Sequence, residues 1–285
     1  MVARHARNFV LAFAGALQGC TVVVDPGVTY CDRTRVVDEF SEPTFAALTS
    51  ACWRVDNTDS EHAEIFLDSG DLVVRANPPP HGEATWVGGT QGAFIYQSFD
   101  DDFAMVARVE AVNQVSGDHC LEAGNEAGLV VRGRSPGLPF ATLFIAPFVP
   151  NPPPNLACNA DSPTYPPTRA TMASAEDAWG PPASTEGIDQ RGIGVDGEAD
   201  LAVCRVNDTL AFFVRDPSSE PAAVKWDLLG NYVIGDFPFD VGLTTAGAPP
   251  TFAAEGHFTW VGYMEGLPAD GCRGALETLV LPAFD

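Results

Sequence analysis

Apolar residues in this chain come in short runs, and each run is closed by Gly, Pro, Asn or Asp before a helical face can build up. That punctuation constrains the fold more than any other feature, because short β-rich runs between turn residues can only be strands. Ile65-Phe66-Leu67 and Leu72-Val73-Val74-Arg75 flank Asp68-Ser69-Gly70-Asp71, a hairpin turn. Phe94-Ile95-Tyr96-Gln97 leads through an acidic turn into Phe103 to Glu110, where Phe103, Met105, Ala107 and Val109 alternate onto one face. Ala127 to Arg132 pairs with Ala141 to Ala146, and Leu201 to Val206 turns through Asn207-Asp208-Thr209 into Leu210 to Arg215. Val241 to Thr244, Gly256 to Tyr263 and a last strand at Thr278 to Leu281 complete the set. About ten to twelve strands without alternating helices predict an all-β sandwich of two antiparallel sheets.

Residues 1–19 read differently. Arg4 and Arg7 precede the uncharged run Phe9 to Ala16, with no acid among them. As a helix that run is only ~12 Å long against a hydrocarbon core of ~30 Å, which suits a signal-peptide core and not a membrane span. Leu17-Gln18-Gly19-Cys20 follows and resembles the lipobox cut by lipoprotein signal peptidase, Gln18 being its least typical residue. The resemblance implies cleavage before Cys20, lipid on its thiol, and a membrane anchor made of several acyl chains. The expected organisation is a lipoprotein signal peptide at 1–19, a lipidated N-terminus and spacer at 20–34, and one sandwich domain at 35–285. Thr21 is not the Asp that retains enterobacterial lipoproteins at the inner membrane, which points to the outer membrane, facing periplasm or cell surface.

The formal net charge is −23, and removing 1–19 makes it more negative because that segment holds basic residues and no acid. Lys225 is the single lysine. Such a surface repels phosphate backbones and anionic headgroups, so nucleic acid is excluded as a partner and the membrane is reached by the lipid alone. Of seven cysteines, Cys20 is assigned to lipid, leaving Cys31, Cys52, Cys120, Cys158, Cys204 and Cys272. An even set in an exported chain predicts disulfides, and the absence of any C-x-x-C pair argues against zinc. Cys120 and Cys158 flank a strand pair and are expected to bridge. The stretch 147–197 is rich in Pro, Gly, Ala and Ser yet contains Tyr165 and Trp179, and it reads as an insertion between strands.

The order of segments carries a further resemblance. Asp38-Glu39-Phe40, Cys52-Trp53 and Gly70-Asp71-Leu72-Val73-Val74 open it, followed by Phe94 to Gln97 and Asp102 to Val109. Ala127 to Arg132, Val206 to Leu210, Val241-Gly242-Leu243 and Phe258 to Val261 then follow in register. Over roughly residues 36–264 the set resembles a bacterial domain family of unknown function with a concanavalin A-like jelly roll. The resemblance implies two packed antiparallel sheets and a role in glycan binding or as an accessory to polysaccharide-active enzymes. It does not imply catalysis.

Retaining glycosidases of that fold superfamily place two carboxylates on one strand face through a Glu, Asp, Glu motif, and that spacing is missing here. Glu122 with Glu126 and Glu186 with Asp189 lie in Gly-rich connections, where rigid carboxylates are hard to hold. His62, His81, His119 and His257 lack metal-ligand spacing, and there is no Gly-x-Ser-x-Gly elbow. Asp100-Asp101-Asp102, with Asp100 and Asp102 as the candidate ligands, and Asp56-Asn57-Thr58-Asp59-Ser60-Glu61 are oxygen-rich turns of the kind calcium takes, though neither follows the EF-hand loop, so a structural calcium is the one possible cofactor. Trp53, Trp226 and Trp260 lie in or beside strand runs and are expected in the core. Trp86, Tyr96, Tyr165 and Trp179, with Gln97, are the candidate ligand contacts, since aromatic faces beside amides and carboxylates suit sugar rings. The expected function is a non-catalytic binding module with a glycan partner. The alternatives are a structural or protein-interaction lipoprotein and a diverged glycoside hydrolase.

Overall fold

A computed structural model describes residues 23–25, 28–29, 35–42, 44–50, 53–56, 63–76, 93–114, 126–134, 140–147, 168–174, 191–193, 197–217, 225–233, 235, 237–247 and 254–279. Two units are distinguished, Met1–Asp32 and Arg33–Asp285. In the first, β1 (Val23–Asp25) pairs antiparallel with β2 (Val28–Thr29).

The second unit holds all the rest. Its first elements are β3 (Val36–Asp38), α1 (Phe45–Ser50), β4 (Arg54–Asp56), β5 (Ala63–Asp68), β6 (Asp71–Ala76), β7 (Phe94–Phe99) and β8 (Phe103–Asn113). Next come β9 (Glu126–Gly133), β10 (Phe140–Pro147), β11 (Thr168–Ser174), β12 (Arg191–Ile193) and β13 (Glu198–Val206). The last are β14 (Thr209–Arg215), β15 (Asp227–Val233), β16 (Phe239–Ala246), β17 (Ala254–Glu265) and α2 (Cys272–Leu279).

One sheet has seven strands in the order β12-β11-β10-β9-β16-β7-β4. The other has eight, β15-β14-β13-β8-β17-β6-β5 with β3 added on β17. Neighbouring strands run antiparallel throughout, so the expected fold class, a jelly-roll sandwich of two antiparallel sheets, is the one observed.

The hairpins form where the turn residues were read. Ser69 and Gly70 both take positive φ, 54° and 96°, which the twist of the β5–β6 hairpin requires and which only Gly adopts without strain. Asn207, at φ 54°, turns β13 into β14 in the same way. Alternation then fills the space between the sheets: Phe103, Met105, Ala107 and Val109 of β8 meet Leu129 and Val131 of β9 and Val241 and Leu243 of β16. Trp53 is buried there too, its indole donating to Asp38 Oδ2 at 2.9 Å and standing edge-on to Tyr263. Tyr232 lies edge-on to Phe212 in the same core.

Two expectations change. Thr278 and Leu279 were expected in a strand, but they end α2, whose Ala275, Leu276 and Leu279 bury one face. And the 147–197 stretch contains β11 and β12, which extend the seven-stranded sheet beyond β10.

Candidate functional site

Each sheet has an outer face, and the two are finished differently. On the eight-stranded sheet, α2 lies over Ala104, Val106, Ala202, Trp260 and Met264. Cys204 on β13 and Cys272 at the start of α2 are disulfide-bonded, with Cα atoms 5.7 Å apart. Beside the helix runs a cross-strand row in register: Trp260 opposite Arg108, Arg108 opposite Asp200, Asp200 opposite Arg215. Asp200 is fully buried and accepts from Arg108 Nε at 2.8 Å and from both Nε and Nη2 of Arg215. Trp260 and Trp226 cap the row, each under a guanidinium. Burial opposes the charge of Arg108, but the hydrogen bonds and charge of Asp200 outweigh it and hold the guanidinium above its ordinary range. Arg108 also pairs with Glu198 at 3.5 Å, whose side chain is 38% exposed, so the row reaches water at that end.

The outer face of the seven-stranded sheet is where the polar groups gather near solvent. On β7, alternation sends Ile95, Gln97 and Phe99 inward and Phe94, Tyr96 and Ser98 outward. Register then sets Arg54 of β4 opposite Tyr96 and Asp56 opposite Phe94. On the other side Asp240 of β16 lies opposite Ser98, and Arg132 of β9 opposite Asp240. Gly242 stands opposite Tyr96, and a Cβ there would run into the Ile95 carbonyl and the Tyr96 backbone, so only glycine allows this approach.

These residues form one connected chain of ion pairs. Arg132 Nη2 donates to Asp56 Oδ2 at 2.6 Å and to Asp240 Oδ2 at 3.2 Å. Arg134 donates Nε to Asp240 Oδ1 at 3.3 Å and Nη1 to Asp100 Oδ1 at 2.6 Å. The Ser98 hydroxyl donates to Asp240 Oδ1 at 2.7 Å and accepts from Arg54 Nη1 at 3.3 Å. Phe94 and Tyr96 stack with centroids 4.7 Å apart, and the Arg132 guanidinium lies 4.9 and 5.3 Å from the two rings. Burial works against the Arg132 charge, and the hydrogen bonds to Asp56 and Asp240 more than restore it. Burial, reinforced by Asp56 and Asp240, pushes the Tyr96 phenol up, so it stays a hydroxyl and donates to Asp56 Oδ1 over a long 3.5 Å. The centre of the chain is sheltered, while its ends reach water: the Asp56 side chain is 37% exposed and that of Asp100 68%.

Of the sequence-derived candidates, Tyr96 lies on this face. Gln97 is a correction: it points between the sheets, 1% exposed, and neither amide atom has a hydrogen-bond partner. Trp86, Tyr165, Trp179, Cys20, Cys31, Cys52, Cys120, Cys158, His62, His81, His119, Glu122, Glu186 and Asp189 lie outside the described residues. Asp100 pairs with Arg134, whereas Asp102 Oδ1 accepts from the Asn207 amide at 2.7 Å. No cluster of three or more His, Cys, Asp or Glu side chains placed to hold a metal occurs among the described residues. His257 contacts Glu255 at 2.8 Å, and Glu255 also takes Arg75 at 2.7 Å.

Arg54, Ser98, Arg132, Arg134 and Asp240 were not singled out from sequence, and Asp56 only as the start of an oxygen-rich turn. The available signal was a charged residue seated within an apolar strand, as Arg132 follows Val130-Val131 and Asp240 lies between Phe239 and Val241.

No family model matches the chain, and no curated protein matches it. Among solved structures it is similar to the GH43 BlXynB protein from Bacillus licheniformis, at 11% identity and TM-score 0.49, over 85% of this chain and 41% of that one. It therefore spans about two fifths of the length of that protein. It is also similar to peanut lectin with a 9mer peptide, at 9% identity and TM-score 0.46, over 80% and 96% of the two chains. A third similarity is to the VIP36 exoplasmic/lumenal domain in its Ca2+/Man-bound form, at 11% identity and TM-score 0.44, over 82% and 91%.

Proposed function

We propose that this is a lipid-anchored protein of the cell envelope whose sandwich is a non-catalytic binding module for a glycan. The observation that carries the binding reading is the outer face of the seven-stranded sheet. There carboxylates and guanidiniums reach solvent at Asp56, Asp100 and Arg134, held over a buried aromatic pair, Phe94 and Tyr96. Sugar hydroxyls are recognised by fixed hydrogen-bonding groups of this kind.

A hydrolytic reading would start from Asp56 and Asp240, whose oxygens both sit on one guanidinium nitrogen. Asp240, however, accepts from Ser98, Arg132 and Arg134 together, which suits an anchor for the face and leaves little of it for substrate. The anchor itself rests on the Arg4/Arg7 head, the apolar run and Gly19-Cys20.

Two experiments test the proposal. Full-length protein in detergent is expected to bind a subset of a glycan array, with binding lost in Asp56→Ala, and an array left blank by the wild type would refute the binding reading. Metabolic labelling with a fatty-acid probe is expected to mark the wild type and not Cys20→Ala, and equal labelling of both would remove the anchor.

A further inference from the structure

Charge balances on this face, but hydrogen bonding does not. Three arginines, Arg54, Arg132 and Arg134, stand among three aspartates, Asp56, Asp100 and Asp240. Arg132 and Arg134 each pair with two of those carboxylates. Arg54 pairs with none: among the described residues its one bond runs from Nη1 to the Ser98 hydroxyl at 3.3 Å. Beyond Ser98 lies Asp240, whose Oδ1 already accepts from Ser98 and Arg134 and whose Oδ2 accepts from Arg132. Arg134 Nη2 is a further donor without a partner. Donors therefore outnumber acceptors at this end of the face. Arg54 is exposed, and the Ser98 bond fixes one corner of its guanidinium while leaving the other N–H groups without a protein partner. A guanidinium in that state is suited to take a carboxylate by two parallel N–H···O bonds.

Asp56 lies two residues along β4 on the same side of the strand, about 6.6 Å away, the width of one pyranose ring. Its side chain is 37% exposed. Oδ2 takes Arg132, but Oδ1 receives only the long 3.5 Å bond from the Tyr96 phenol, so it can accept a sugar hydroxyl. One strand thus presents a cation without a counter-charge and an acceptor, spaced as the carboxylate and ring hydroxyls of one uronic acid are.

Resting on the glycan reading above, we propose that Arg54 is the carboxylate-binding residue of this face and that the ligand is an oligosaccharide carrying a single uronic acid. Its carboxylate sits on Arg54, and a ring hydroxyl donates to Asp56. The formal charge of −23 sets the limit of one. Repulsion grows with every charge a ligand brings, so a polyanion is turned away. One carboxylate in contact with Arg54 lies well inside the ~8 Å over which charges act in physiological salt.

The test is an array that prints neutral oligosaccharides beside the same backbones carrying one uronic acid, free or as its methyl ester, read with the full-length protein in detergent. Wild-type protein is expected to favour the free acid over both neutral forms by about tenfold or more. Arg54→Gln is expected to lose most of that preference, with an unchanged melting temperature because the side chain is exposed and unpaired with any carboxylate. Wild-type binding that is equal or stronger for the neutral forms, or the same acid-to-ester ratio in Arg54→Gln, would overturn the carboxylate site while leaving glycan binding in place. Absence of binding to every saccharide would overturn the site and the function beneath it together.

Discussion

On the eight-stranded sheet the outward side chains around Ala202 are small and apolar, and α2 lies on them, tied down by Cys204–Cys272. On the seven-stranded sheet the corresponding positions around Gly242 carry Tyr96, Ser98, Asp240 and Arg132, linked by ion pairs that end in water. Both faces contain arginines over aromatic rings and a carboxylate shared between two arginines. They differ in where the network stops. Around Asp200 it is flanked by Trp260 and Trp226 and reaches water only through Arg108 at Glu198; around Asp240 it runs outward on two sides, to Asp56 and Asp100. The more enclosed network, centred on a fully buried carboxylate, specifies packing, whereas the more open one leaves groups with which to meet another molecule.

The sharpest way to break this contrast is to remove Asp200. Asp200→Ala leaves Arg108 and Arg215 facing a buried gap, and an equilibrium denaturation curve should show a loss of about 3–5 kcal/mol. A loss below about 1 kcal/mol would mean that the row is hydrated and the two faces are alike. Next comes the staple. Replacing both Cys204 and Cys272 by Ala should lower stability by about 2–4 kcal/mol in the same measurement and raise hydrogen exchange in α2 ahead of β8, since the bridge closes a loop with sequence separation 68. Uniform exchange throughout would show that the helix docks without it.

Smaller, and opposite in sign, is Gln97→Leu on the inward side of β7. An amide with no partner in an apolar core is a liability, so this variant should be more stable by about 1 kcal/mol. Destabilisation would reveal that Gln97 holds something polar inside the sandwich. The smallest effect concerns Tyr96. Its folded pKa is raised above the ordinary 10.0, so the folded state keeps the phenol proton better than the unfolded chain. Its stabilising contribution is complete below pH 10.0 and is lost as pH rises beyond it. Tyr96→Phe should therefore flatten the alkaline decline in a pH series of melting curves, and an unchanged slope would place the titration elsewhere.

Much of this architecture was legible because β alternation is a local signal. Phe103, Met105, Ala107 and Val109 declared their shared face, and Asp68 to Asp71 its turn, without knowledge of any partner strand. Helix α2 was legible too, in the 3, 4, 7 spacing of Cys272, Ala275, Leu276 and Leu279, but eight residues among many strands were outvoted by the β pattern nearby. The ion-pair chain was not legible. Asp56, Asp100, Arg132 and Asp240 come from four separate places in the sequence, and register between non-adjacent strands is what joins them. Gln97 failed for a simpler reason. Its neighbour Tyr96 is outward, and a strand reverses face at every residue.

The position of β8 has a kinetic consequence. Val106 is paired with Ala202 on one side and Gly262 on the other, so the central strand of the larger sheet finds both partners only late in the chain. Sequence-distant pairing of this kind makes folding slow and leaves strand edges open to mispairing until the last partner is in place. That partner, β17, also pairs with β3 and β6. A nascent chain emerging N-terminus first therefore holds β3, β6 and β8 as unmatched edges until β17 is free to join them. Truncation before Ala254 would leave three unpaired strand edges in place of a smaller sandwich.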